Sequence, residues 1–301
     1  MNQDFAKNGM YVSKPIFDRR SCNKLTSRIT ATFPLDTTIF LTEDEFWNKP
    51  DWRRHAVNPK DANNYLDKVS FSEIENNVGL DQKLTAIAGE GYKILSRRAQ
   101  RLFPRAKLPG WIWDRVKNDG LANLNFYVRE EYRGISHILY YDFHQDIISY
   151  NENHKMMSVC IYMDDVSGRE DSPLIFLPGS HKFGVTHYPH RLCRVVDNPE
   201  SWIYSDDSGN SMTIDQVAVS AKAGSGIFFH SLLLHGSQDS LSPSPRIVLR
   251  LLIGRAPDFT GKCELDTAQE FVTGPKEIKN RRLDIAQDGS QIPQGNLLNS
   301  Y

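Results

Sequence analysis

The stretch Ala223-Gly224-Ser225-Gly226-Ile227-Phe228-Phe229-His230-Ser231-Leu232-Leu233-Leu234-His235-Gly236-Ser237 decides how the rest of the chain is read. A glycine-rich turn opens into the short run Ile227 to Leu234, whose branched and aromatic side chains predict a buried strand. The run ends on a histidine followed by Gly236 and Ser237, which permit close approach of another backbone. His230 and His235 are an odd number of residues apart, so an extended chain turns them to opposite faces.

Working outward, segments of the same texture recur at Leu121 to Val128, His137 to Phe143, Met156 to Met163, Leu174 to Leu177, Val217 to Ser220 and Ile247 to Gly254. Closely spaced strands without long helices between them predict antiparallel pairing in a barrel or sandwich. Ahead of them, apolar residues at 80, 84, 87, 88, 92, 95, 99 and 102 follow a helical period, predicting a helix over Leu80 to Phe103 that packs on a sheet and stops before Pro104. The polar stretch from His181 to Ser211 is too long for a hairpin turn and is expected to run over the barrel mouth. No Pro/Gly/Ser-rich linker divides the chain, so one domain spans 1–301: a helical part over about 1–120, a β core over about 121–257 and a polar extension over 258–301. The tail from about Gln287 is expected to be poorly ordered.

Two residues apart on a strand means one face, so His144 and Asp146 point together while Gln145 turns away. With His235 from a distant strand they supply two imidazoles and one carboxylate, a facial set that leaves half of an octahedral ion open, unlike the closed four-ligand sphere of structural zinc. With nine histidines in the chain an accidental H-x-D is expected, so its weight comes from the strand-like runs that precede both histidines. His230 is the rival third ligand. Arg246 offers a permanently charged planar fork for the far end of a dicarboxylate, and Arg250, four residues on and on the same face, is the alternate anchor. Asn123, Asn125, Tyr141 and Ser237 are candidates to hydrogen-bond such a co-substrate. Arg129, Arg133, Lys155 and Trp113 are candidates to meet the substrate. The remaining histidines, His55, His137, His154, His181, His187 and His190, are expected to be solvated or structural.

A net charge of −1 argues against a nucleic-acid surface and favours a small-molecule substrate. Four cysteines without C-x-x-C spacing are expected to be reduced thiols. No signal-like leader is visible at the N-terminus, and no apolar run reaches the length of a membrane span, so a cytoplasmic protein is expected, monomer or dimer.

Together His144-Gln145-Asp146, the segment Leu177-Pro178-Gly179-Ser180-His181-Lys182, the stretch quoted first and the step of eleven residues from His235 to Arg246 resemble the phytanoyl-CoA dioxygenase (PhyH) family of Fe(II)/2-oxoglutarate oxygenases. The resemblance covers roughly the C-terminal half. It implies a mainly β double-stranded β-helix (a cupin-like jelly roll) with flanking helices. It selects His235 over His230 and Arg246 over Arg250. Its cofactors are Fe(II), 2-oxoglutarate as co-substrate and O2. The expected activity is hydroxylation of an unactivated C–H bond, with 2-oxoglutarate converted to succinate; desaturation or oxidative cyclisation in natural-product biosynthesis is the alternative outcome. Retention of Asp146 argues against halogenation. Gln238-Asp239-Ser240 departs from the Gly-Pro-Asn of many relatives, so loop contacts there do not transfer. A non-redox Zn²⁺ or Mn²⁺ hydrolase or isomerase on the same ligands, and an inactive ligand-binding jelly roll, are the competing readings.

Overall fold

A computed structural model describes residues 2–48, 64–69, 71–120, 122–146, 155–184, 191–205 and 209–269. Its larger sheet has six strands in the order β1 (Met10–Pro15), β11 (Ser225–His230), β5 (Met156–Tyr162), β13 (Arg246–Gly254), β2 (Lys93–Leu102) and β3 (Ser136–Ile138). The smaller has four: β10 (Val217–Val219), β6 (Leu174–Phe176), β12 (His235–Ser237) and β4 (Tyr141–His144). Every pairing in these two sheets is antiparallel except β2 with β3.

Alternation explains how the two sheets share a core. On β5 the residues Met157, Val159 and Ile161 turn outward onto a cluster with Leu25, Ile29, Leu80, Leu84 and Ile87 from the helices Arg19–Thr32 and Val78–Ala88. Cys160 and Tyr162 turn inward, where they join Phe176, Leu174, Phe229 and Val248 between the sheets. Phe176 and Phe229 meet across the gap with ring centroids 5.1 Å apart. All nine residues of β13 are buried, because one face meets helices and the other the interior. Two facing antiparallel sheets with this layout form the expected jelly roll.

Gly224 locks the turn into β11. Its φ of +81° suits glycine, and a Cβ there would meet Phe17 O at 1.9 Å. The amide of Ile16 donates to Gly224 O at 2.7 Å, so the same turn clamps the end of β1.

Several expectations are corrected. The helix expected over Leu80 to Phe103 ends at Ala88, because Gly89 and Gly91 take φ of +87° and +72° and turn the chain into β2. Leu121 to Val128 is not a strand: its described residues form one 3₁₀ turn, Leu124–Phe126, with single bridges from Asn123 to Ile138 and from Phe40 to Val128. The β structure therefore extends beyond 121–257, taking in β1 and β2 from the part expected to be helical. The polar stretch after His181 carries its own antiparallel sheet of β7 (Leu192–Val195), β8 (Asn198–Ser205) and β9 (Ser211–Asp215). Trp202 and Tyr204 of β8 pack with Phe143, Ile175 and Leu234, which alternate with the inward residues of the smaller sheet. These strands thus back the smaller sheet rather than cover the barrel mouth. The extension beyond Gln269, including the tail from Gln287, lies outside the described residues.

Candidate active site

His144 ends β4 and His235 opens β12, directly opposite in register, with ring centroids 4.2 Å apart. Flanking contacts hold both. Gln145, facing away as alternation requires, donates to Gly184 O and Leu232 O, both at 2.8 Å. Leu234 is bracketed by the Leu177-to-Ser180 segment: Leu177 N donates to Leu234 O at 3.0 Å and Ser180 Oγ accepts from Leu234 N at 2.9 Å. Asp146 is fixed by its own amide, which donates to Ser231 O at 2.7 Å. The family-like L-P-G-S segment is therefore a clamp on the strand that delivers His235.

The ligand atoms of His144, Asp146 and His235 all lie within 4.8 Å of one another. His144 Nε2 is 3.7 Å from Asp146 Oδ1, and His235 Nε2 is 3.5 Å from Asp146 Oδ2. Each imidazole spends Nδ1–H on a carbonyl, Asp142 O at 2.8 Å and Leu233 O at 2.9 Å, which turns the bare Nε2 of both toward the common centre. Burial, followed by the neighbouring His235, pushes the His144 imidazole down to about 3, and burial pushes His235 down as well, so both rings are neutral at physiological pH. Burial would raise the Asp146 carboxyl, but the Arg250 guanidinium, helped by the hydrogen bond from Ser158, outweighs it and holds the group far below the usual carboxylate range. Two neutral nitrogen donors and an ionised oxygen converging from one side suit an octahedral Fe(II) with open positions.

Arg246 and Arg250 both enter from β13 toward the interior, yet their surroundings differ. Arg250 Nη2 lies 2.6 Å from Asp146 Oδ2, so this guanidinium is engaged beside the triad. Arg246 is 5% exposed, stacks 4.7 Å over the Tyr162 ring and donates one Nη2–H to Ser172 O. Among the described residues its Nε and Nη1 have no hydrogen-bond partner. Two buried, orphaned donors on a fixed charge are the kind of group a carboxylate completes.

Residues 5–248 match the profile of the phytanoyl-CoA dioxygenase (PhyH) family. The chain belongs to this family. It is a non-haem iron, 2-oxoglutarate-dependent oxygenase, and the residues around the triad fit both cofactors. Solved structures similar to this PhyH chain include the non-haem α-ketoglutarate-dependent carbocyclase SnoK from nogalamycin biosynthesis, at 14% identity over 84% of this chain and 82% of that one, with a TM-score of 0.46. HygX from Streptomyces hygroscopicus with nickel, 2-oxoglutarate and hygromycin B bound shows 12% identity over 85% and 88% of the two chains, TM-score 0.46. EctD from S. alaskensis with bound Fe shows 16% identity over 87% and 78%, TM-score 0.45. No curated protein matches the sequence. No helix among the described residues is long and apolar enough to cross a membrane.

Of the other expected site residues, the structure brings Tyr141 and Ser237 to the triad. The Tyr141 ring lies 5.3 Å from that of His144, its hydroxyl accepts from Gln100 Nε2 at 3.2 Å, and its amide donates to Ser237 Oγ at 3.1 Å. Asn123 and Asn125 are spent elsewhere: Asn123 Oδ1 caps the 3₁₀ turn, and Asn125 links Ile135 O to the His137 amide. Arg129 pairs with Glu45 through both Nη atoms at 2.8 Å, and Arg133 donates to Val128 O. Lys155 pairs with Asp266 at 2.6 Å, while Trp113 lies under Arg105 at 4.1 Å. None of these is drawn to the metal centre by the contacts it makes.

His230 lies apart from this group: its Nδ1 accepts from Leu232 N at 3.0 Å and its Nε2 reaches Leu265 O at 3.3 Å, behind the strand. Of the histidines expected to be solvated or structural, His137 and His181 are fully buried. His55, His154, His187 and His190 lie outside the described residues. Residues not foreseen are Ser158, which donates to Asp146 Oδ2 at 2.5 Å, and Tyr162 beneath Arg246. Both sit on the polar edge of an alternation, Ser158-Cys160-Tyr162, that was visible in the run Met156 to Met163.

Proposed function

We propose that this PhyH enzyme hydroxylates an unactivated C–H bond of a small polar or amino-acid-like metabolite while 2-oxoglutarate is decarboxylated to succinate. The observation that carries the reading is the pairing of a three-ligand face with the two unpartnered donors of Arg246 on the same interior. His144, Asp146 and His235 would hold Fe(II), which when bound supplies the O2-activating, C–H-oxidising chemistry. Arg246 would grip the 5-carboxylate of 2-oxoglutarate, with Tyr162 and Ser172 fixing the guanidinium so that little reorganisation accompanies binding. Phe176 and Phe229 wall the His235 ring, at 6.0 and 4.5 Å between centroids, and keep water from that flank. Tyr141 and Gln100 present a polar edge beside His144 where a substrate's hydrogen-bonding groups would settle.

The test is succinate formation from 2-oxoglutarate by iron-loaded protein, with and without O2, followed by product masses from a metabolite screen. Succinate that requires both iron and O2, with a product one oxygen heavier, supports the proposal. A product lighter by two hydrogens replaces hydroxylation with desaturation or cyclisation. Turnover indifferent to O2 would place the protein among non-redox metal enzymes.

A further inference from the structure

Asp146 presents two oxygens to the centre, and only one of them is available. Its Oδ2 accepts from Ser158 Oγ at 2.5 Å and lies 2.6 Å from Arg250 Nη2, while that same Nη2 donates to Ser158 Oγ at 3.2 Å. Oδ2 also lies 3.5 Å from His235 Nε2, but a carboxylate oxygen has two lone pairs and these two donors occupy both, which leaves Oδ1, 3.7 Å from His144 Nε2, as the oxygen without a donor. β13 and β5 impose the arrangement, because Arg250 lies opposite Cys160 and neighbours Ser158 across the ladder.

The distinction matters for coordination. A carboxylate that chelates through both oxygens would, with two imidazoles, occupy four of six octahedral positions and leave two. A one-oxygen carboxylate leaves three, the number needed for a two-point co-substrate and one further ligand. Resting on the reading that this triad binds iron, we propose that Arg250, with Ser158, is a positioning residue that restricts Asp146 to one metal-bound oxygen and so keeps the third position open. Arg246 and Arg250 then have separate tasks on one strand: the first holds the far end of the co-substrate, the second shapes the metal's vacancy.

The experiment loads wild type, Arg250→Met, Arg250→Lys and Ser158→Ala with Mn(II). Water-proton relaxation counts exchangeable waters on the ion, and titration with oxalate, a chelator without a distal carboxylate, reads the vacancy directly. Arg250→Met is expected to lose about a third of the bound-water relaxivity, three positions falling to two, and to bind oxalate about 10-fold or more weakly, as when partners of metal ligands are removed. Arg250→Lys, retaining one donor, recovers part of both. If Arg250→Met does not fold, Ser158→Ala is expected to shift both readouts in the same direction by a smaller amount. Wild-type relaxivity and oxalate affinity in Arg250→Met, or in Ser158→Ala where only that variant folds, overturn the proposal. Failure of the wild type itself to bind Mn(II) would instead remove the metal reading on which it rests.

Discussion

Replacing Arg246 with Met should abolish 2-oxoglutarate binding while leaving the ligand-free fold almost as stable as before, an unusual outcome for a buried charge. The wild-type guanidinium contributes one hydrogen bond to Ser172 O and a stack on Tyr162, together about 2–5 kcal/mol. Against this stand two buried donor nitrogens, Nε and Nη1, without partners among the described residues, each costing about 1–3 kcal/mol. The two sides nearly cancel, so the apolar replacement is expected within about 1–2 kcal/mol of wild type. A fully paired buried charge behaves differently, since its removal usually costs about 3–5 kcal/mol. Binding should change far more: two charge-assisted hydrogen bonds to a carboxylate are worth about 3 kcal/mol or more, a weakening of 100-fold or beyond. The assay is urea unfolding of metal-free protein and thermal unfolding of Mn(II)-loaded protein with 2-oxoglutarate. At a ligand concentration 100 times its dissociation constant the wild type gains about 2.7 kcal/mol, some 5 °C for a domain of this size; the variant, weakened 100-fold or more, should gain about 0.4 kcal/mol or less, under about 1 °C. A variant that loses 3 kcal/mol or more without ligand, and still answers to 2-oxoglutarate, would show that the guanidinium is a structural pin and that the co-substrate anchors elsewhere.

Exchanging each rival histidine separates ligand from scaffold: His235→Ala should eliminate Mn(II) binding, whereas His230→Ala should retain it and lose stability, as followed by metal titration and urea melts. Gly224→Ala places a Cβ on Phe17 O at a positive φ, so a loss of at least about 2 kcal/mol is expected in the same melts, and a neutral result would contradict the turn geometry. Acid stability should fall steeply below neutrality. Burial holds His137 at about 3 and His181 at about 4, so below pH 6.5 the unfolded chain binds protons that the folded one refuses. Stability then drops by about 1.4 kcal/mol per pH unit for each, about 2.7 together, until pH nears 4. The buried His144 and His235 rings add to the same slope, so His137→Gln should lower it by about 1.4 kcal/mol per pH unit, and an unchanged slope would mean that the ring is already protonated in the fold.

What could be read in the sequence and what could not follow from one distinction. Local spacing carries a face: His144 and Asp146 share one because two residues make a strand repeat, and His235 and His230 separate because five do not. The step from Leu80 to Ala88 carries a helix for the same reason. Beyond Ala88 the rule fails, since β2 lines the interior with Gln100 and sets Arg98 opposite Arg250 in register, so its apolar residues at 95, 99 and 102 fall at helical intervals by accident. Partnership is a different kind of information. Asn123 and Asn125 look like cavity residues until their hydrogen bonds are traced to one turn and the adjacent strand. Arg246 and Arg250 are indistinguishable by type, face and strand, and their difference lies in what the opposing chain places against them. Ser158 and Asp146 meet one guanidinium; Tyr162 and Ser172 meet the other and leave two donors open. Because those four residues lie between 74 and 104 positions away in sequence from the arginines they meet, no local period encodes the assignment. It is written in the register of β13 against β5, where sliding by one residue would turn both guanidinium groups out of the barrel and leave Asp146 ionised with no cation beside it.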